Sequence, residues 1–158
     1  MGQDAATHQA QMPVDWVLER PDRVGAMPTQ ILGRPQGGSG LWGSSLEFDG
    51  IGDGIILPQL PIAGWPQFSA EVVFRPDADG LAEQRFVHLQ AEDGQHRMLF
   101  ETRLDGDGRW FLDTYLCSER TDCTLFAQEY KHEVGRWYHA ALVCDGRRMC
   151  HYVDGQLE

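Results

Sequence analysis

The chain has 158 residues, 24 of them acidic and 13 basic, for a formal charge of −11, and 42% of it is hydrophobic. That length suffices for one domain with a proper core. The acidity argues against a nucleic-acid partner, which calls for a basic footprint, and against an anionic membrane surface. No apolar run approaches the ~18–20 residues of a spanning helix, so membrane insertion is not expected. The start, Met1-Gly2-Gln3-Asp4-Ala5, has neither a basic region nor an apolar one, and no signal peptide is visible. The location therefore reads as cytoplasmic by default, or secreted if the N-terminus is incomplete.

Residues 1–12 are polar and aperiodic and read as a flexible tail, with one domain over 13–158. Val14–Leu18 and Ile31–Leu32 are weak first strands. Arg34–Gly43, with Gly37-Gly38-Ser39-Gly40, reads as a loop. Ser45–Phe48 and Ile55–Leu57 form a strand pair, and a proline-punctuated stretch from Pro58 to Pro66 leads to a strand over Phe68–Phe74. Further strands follow at Phe86–Gln90, Arg97–Leu104, Arg109–Leu116, Thr124–Ala127, Trp137–Cys144 and Met149–Val153. Eight of the 18 glycines follow an aspartate. Asp-Gly suits tight hairpin turns, because both residues tolerate positive φ. Short β-like runs between repeated turn signals point to an all-β, antiparallel sandwich or barrel. Phe48, Phe74, Phe100, Leu112, Trp137, Leu142 and Val153 are the expected core.

The strands around Asp105-Gly106-Asp107-Gly108 separate by parity. Met98, Phe100, Thr102 and Leu104 share a face with Trp110, Leu112, Thr114 and Leu116, which the alternation assigns to the core. The other face carries Glu101, Arg103, Phe111, Asp113 and Tyr115. If Glu101 pairs with Asp113, then Arg103 falls opposite Phe111, and one residue of slip changes every partner.

Several short motifs lack the context their chemistry needs. Gly38–Gly43 fits G-x-G-x-x-G but is neither preceded by a strand nor followed by a helix. His132-Glu133 lacks the second histidine of a zinc-protease helix, and Asp105-x-Asp107 runs into Arg109 and Trp110 where a calcium loop continues with ligands and glycine. The four cysteines form two C-x5-C pairs, Cys117/Cys123 and Cys144/Cys150, each bracketing a turn. They read either as two cross-hairpin disulfides or as four reduced thiols. Six histidines are scattered, and His88, His139 and His151 lie in predicted strands that would let them converge on one face.

Taken together, three segments resemble the laminin-G-like domains of the concanavalin A-like lectin/glucanase superfamily. Ser45-Leu46-Glu47-Phe48-Asp49-Gly50, with Asp53 and Ile55-Ile56-Leu57-Pro58, is similar to that family's opening strand pair. Phe68–Pro76 is similar to its next core strand. Gly135-Arg136-Trp137-Tyr138-His139 through Gly146, leading to Tyr152-Val153-Asp154-Gly155, carries the strongest likeness. The resemblance implies a jelly roll of two curved sheets whose concave face often binds glycans. It also implies that Asp49 and Asp53 are candidate calcium ligands, the alternative being that both carboxylates serve the turn. No other cofactor is expected. The family commonly continues past this last turn, so the end at Gln156-Leu157-Glu158 implies a domain lacking its last strands and an uncovered edge open to self-association.

For function, the expectation is a non-catalytic module that binds a glycan or other small ligand through Arg103, Phe111, Asp113 and Tyr115. Aromatic rings pack on sugar rings, while carboxylate and guanidinium groups bond their hydroxyls. The alternatives are a glycoside hydrolase, whose carboxylate pair would be Glu101 and Asp113, and a structural domain completed by a partner strand. The E-x-D-x-x-E strand typical of the superfamily's glucanases begins at Glu47-Phe48-Asp49 but has no glutamate at 51 or 52.

Overall fold

The computed structural model describes residues 13–118 and 121–158. The tail expected over 1–12 lies outside the described residues. Among the described residues fifteen strands are formed in chain order: β1 (Arg23–Val24), β2 (Met27–Pro28), β3 (Gln30–Leu32), β4 (Gln36–Gly40), β5 (Gly43–Glu47), β6 (Gly54–Ile56), β7 (Phe68–Phe74), β8 (Glu83–Gln90), β9 (Arg97–Leu104), β10 (Arg109–Ser118), β11 (Thr121–Phe126), β12 (His132–Glu133), β13 (Tyr138–Cys144), β14 (Met149–Val153) and β15 (Gln156–Leu157). The described residues contain no helix.

Two sheets make the sandwich. One has the order β11-β10-β9-β8 with β12 also on β10, and the other the order β15-β14-β13-β7. Three small two-stranded ribbons, β1-β2, β3-β6 and β4-β5, account for the N-terminal strands. The strand pairings are antiparallel, as hairpin-rich Asp-Gly sequence requires. Asp154 and Gly155, with φ of 49° and 79°, make the two-residue turn between β14 and β15 in the left-handed conformations that only such a pair adopts cheaply.

The core lies between the sheets. Met98, Phe100, Trp110 and Leu112 from β9 and β10 meet Tyr138, Ala140, Leu142 and Val153 from β13 and β14. Phe74 stacks on Phe86 with centroids 4.2 Å apart, and Trp110 meets Tyr138 edge-on at 5.0 Å, geometries that favour the ring quadrupoles. A β-bulge between Arg85 and Val87 lets both Phe86 and Val87 pack toward this core while Arg85 stays on the outer face.

Five expectations are corrected in the N-terminal half and the core list. Val14–Leu18 forms no strand, and Arg34–Gly43 is not a loop, since Gln36–Gly40 pairs with β5 as a hairpin. Ser45–Phe48 and Ile55–Leu57 do not pair with each other: β5 pairs β4, and β6 pairs β3. Phe48 follows a strand that joins neither main sheet and is 42% exposed, not core. Trp137 is half-buried beneath Arg75, whose guanidinium lies 5.6 Å from the ring centroid.

Replacing Phe100 or Leu112 with alanine should cost about 2–5 kcal/mol in chemical denaturation, through lost burial and the cavity left behind. Phe48→Ala should cost less than either. The reverse ranking would mean that the N-terminal ribbons, rather than the sandwich, hold the core.

Candidate functional site

The register that parity suggested is the one formed: Asp113 faces Glu101 and Phe111 faces Arg103 across β10 and β9. On the outer face of this sheet Glu101 and Asp113 are nonetheless buried, at 5% and 2% exposure. Long side chains fold over them and keep their charged ends toward water. Arg85 Nε donates to Glu101 Oε1 at 2.5 Å, and Arg103 donates from Nε and Nη2 to Asp113 Oδ2, both at 2.8 Å. Arg103 also pairs with Glu83 at the rim, and its Nη2 lies 3.8 Å from Glu101 Oε2.

These residues line an open groove of about 270 Å³, together with Arg97, Leu99, Tyr115 and Thr124. The Arg97 guanidinium sits 5.1 Å from the Tyr115 ring centroid. Two buried polar atoms in the groove wall have no hydrogen-bond partner among the described residues, Asp113 Oδ1 and Arg97 Nε. Desolvation pushes the Asp113 carboxyl above its ordinary value, against the pull of Arg103.

Of the binding residues expected from sequence, Arg103, Asp113 and Tyr115 come together in the groove, with Glu101 beside them. Phe111 does not. Its ring is 7% exposed, meets Phe126 edge-on at 4.9 Å, and lies under Lys131 at 4.9 Å, so no sugar can stack on it. Arg85, Arg97 and Thr124 were missed. Arg97 shares the parity of Glu101 and Arg103, a signal present in the sequence. Arg85 was hidden because its strand begins at Glu83, three residues before the expected start at Phe86.

The three strand histidines do not converge. His88 lies on the outer face of the five-stranded sheet, opposite Leu99, and His139 bonds Glu71 at 3.0 Å on the outer face of the other sheet. His151 is in the core, with Nδ1 2.9 Å from Thr114 Oγ1. The four cysteines are free. In each hairpin the register is offset by one, with Cys123 opposite Leu116 and Cys150 opposite Val143. The two cysteines of each pair therefore point to opposite faces of their sheet, and cross-hairpin disulfides do not form.

Residues 49–158 match a laminin-G family, Laminin_G_3, described as the concanavalin A-like lectin/glucanases superfamily. The chain belongs to this superfamily. The matched span begins just before β6 and includes both main sheets, while the β4-β5 ribbon lies outside it. Among solved structures, the carbohydrate binding module CBM66 from Bacillus subtilis is similar at 17% identity. That likeness covers 84% of this chain and 78% of that one, with a TM-score of 0.48. Comparison with curated proteins finds no match.

The calcium ligands implied for this laminin-G-like domain are engaged otherwise. Asp49 Oδ1 accepts the amide N–H groups of Ile51, Gly52 and Asp53, each at 2.9 Å, and these bonds hold its carboxyl below the usual range. Asp53 accepts the amides of Arg34 at 2.6 Å and Asp49 at 3.2 Å. Carboxylates ringed by N–H donors do not fit a cation that takes six to eight oxygen ligands. Both are turn caps. Asp105 does the same work at the β9–β10 turn, where Lys131 and the amides of Arg109 and Asp107 hold its carboxyl down to about 2.

Asp49→Ala should therefore lower stability, as loss of a capping acceptor does. The loss should be equal in calcium and in chelator; a loss seen only with calcium would restore the metal assignment. His151 gives a second expectation. Burial pushes its pKa down to about 4 from the ordinary 6.5. Between those values the unfolded chain binds the proton and the folded one does not, so this contribution to stability falls as pH drops from about 6.5 to about 4. Urea midpoints of wild type and His151→Gln should draw closer over that window. A constant difference between them would show that His151 does not titrate with unfolding.

Proposed function

We propose that the protein is a carbohydrate-binding module whose site is the groove over β8, β9, β10 and β11. The observation that carries this reading is the cluster of Arg85, Arg97 and Arg103 around Glu101 and Asp113, with the Tyr115 ring beside it. Charged hydrogen-bonding groups next to an aromatic surface are what sugar hydroxyls and ring C–H faces need. Membership of the lectin/glucanases superfamily supports the same reading, although fold alone does not confer it.

A hydrolase reading also has an observation in its favour: two buried carboxylates face each other across adjacent strands and share contacts with Arg103. Glycoside hydrolysis needs one of such a pair to hold a proton for the leaving group. Burial raises the Asp113 carboxyl as an acid role would need, but each carboxylate is tied up in a close ion pair, Glu101 with Arg85 and Asp113 with Arg103, and this weighs toward binding without turnover.

Titration calorimetry on a panel of β-glucans and other glycans tests the proposal. Tyr115→Ala should weaken binding by at least about tenfold, the scale of one lost aromatic contact, while the melting temperature stays close to wild type. Glu101→Gln separates the rival reading. Product release by wild type that disappears in this variant, with binding retained, would make the protein a hydrolase.

A further inference from the structure

The groove's hydrogen-bond and charge balance narrows its ligand further, resting on the carbohydrate reading above. We propose that the site takes a single neutral sugar unit through its hydroxyls and turns away sugars that carry a carboxylate or sulfate.

Three arginines alone would suggest an anion site. Two of the three are already committed. Arg85 is held by Glu101, and Arg103 by Asp113 within and Glu83 at the rim. The groove wall carries three guanidinium groups and two carboxylates, and Glu83 at the rim offsets the remaining charge, so little net positive charge is left to steer an anion in. Of the three arginines, Arg97 alone is left for an incoming carboxylate; at Arg85 or Arg103 the anion would have to displace Glu101 or Asp113, leaving a buried charge without a partner.

What the protein leaves unmet is different in kind. Asp113 Oδ1 can only accept and receives no N–H or O–H among the described residues, while Arg97 Nε can only donate and has no acceptor there. A sugar hydroxyl both donates and accepts, so a sugar carries the partners that both atoms lack. A carboxylate or sulfate only accepts and would set its charge against Asp113. Both unmet atoms are shielded from bulk water, so a ligand reaches them only as the side chains above them give way. Leu99 and Tyr115 supply apolar contact for ring C–H groups. A groove of about 270 Å³ is smaller than the usual drug-sized pocket of roughly 300–1,000 Å³, which suits one sugar unit rather than a run of them.

A matched pair of probes tests this: a β-linked tetrasaccharide ending in glucose, and the same molecule oxidised at its terminal C6 to the uronate. Wild type should bind the neutral probe at least about tenfold tighter. Asp113→Asn should cost most of that binding. Glu83→Gln, at a rim position whose side chain is 64% exposed, should narrow the gap by freeing Arg103 for the uronate. Preference for the uronate, lost in Tyr115→Ala, would overturn the neutral-sugar inference and leave the carbohydrate reading intact. Neutral binding that Tyr115→Ala does not touch would place the sugar elsewhere and also overturn it. If neither probe nor any glycan of the wider panel binds, the carbohydrate reading itself fails and the inference falls with it.

Discussion

The pairing of Arg97–Leu104 with Arg109–Ser118 sets Asp113 opposite Glu101, and the same register sets Thr114 opposite Phe100 and Leu112 opposite Thr102. Side chains alternate along both strands, so one face of this hairpin supplies Met98, Phe100, Trp110 and Leu112 to the core, and the other supplies the charged groove. A slip of one residue in β9 would drive Glu101 and Arg103 into the sandwich and turn Phe100 to water, and one in β10 would do the same with Asp113 and Leu112. The cost of burying those charges holds the register as firmly as the gain from burying the rings.

That outer face is an unusual use of a sheet. Glu101 and Asp113 are as inaccessible as many core residues, yet they lie beneath arginine arms rather than beneath a second layer of secondary structure. Buried ion pairs of this kind add little net stability, because desolvation offsets most of their attraction, and apolar side chains of similar size would fold at least as well.

The sandwich strands were legible where side chains alternate and Asp-Gly turns punctuate them, as between β9 and β10, β13 and β14, and β14 and β15. β7, β9 and β14 have the bounds the sequence implies. The N-terminal ribbons were not. A strand built of Gln-Gly-Gly-Ser-Gly has no side-chain pattern to read, and β4 exists only because β5 lies beside it. In the groove, Arg103, Asp113 and Tyr115 followed from parity alone. Phe111 shares that parity, but its burial depends on Phe126 and Lys131, contacts that link residues from three separate segments. Local pattern tells which way a side chain points, not what arrives to cover it.

The same one-residue offset has a consequence for the thiols. Because Cys117 and Cys123 straddle one sheet, and Cys144 and Cys150 the other, neither hairpin can be locked by its own pair. Oxidation cannot tighten either turn, and reduction has no hairpin cross-link to release. The hairpins depend on pleat, turn and core alone, and their integrity is independent of the redox potential around them.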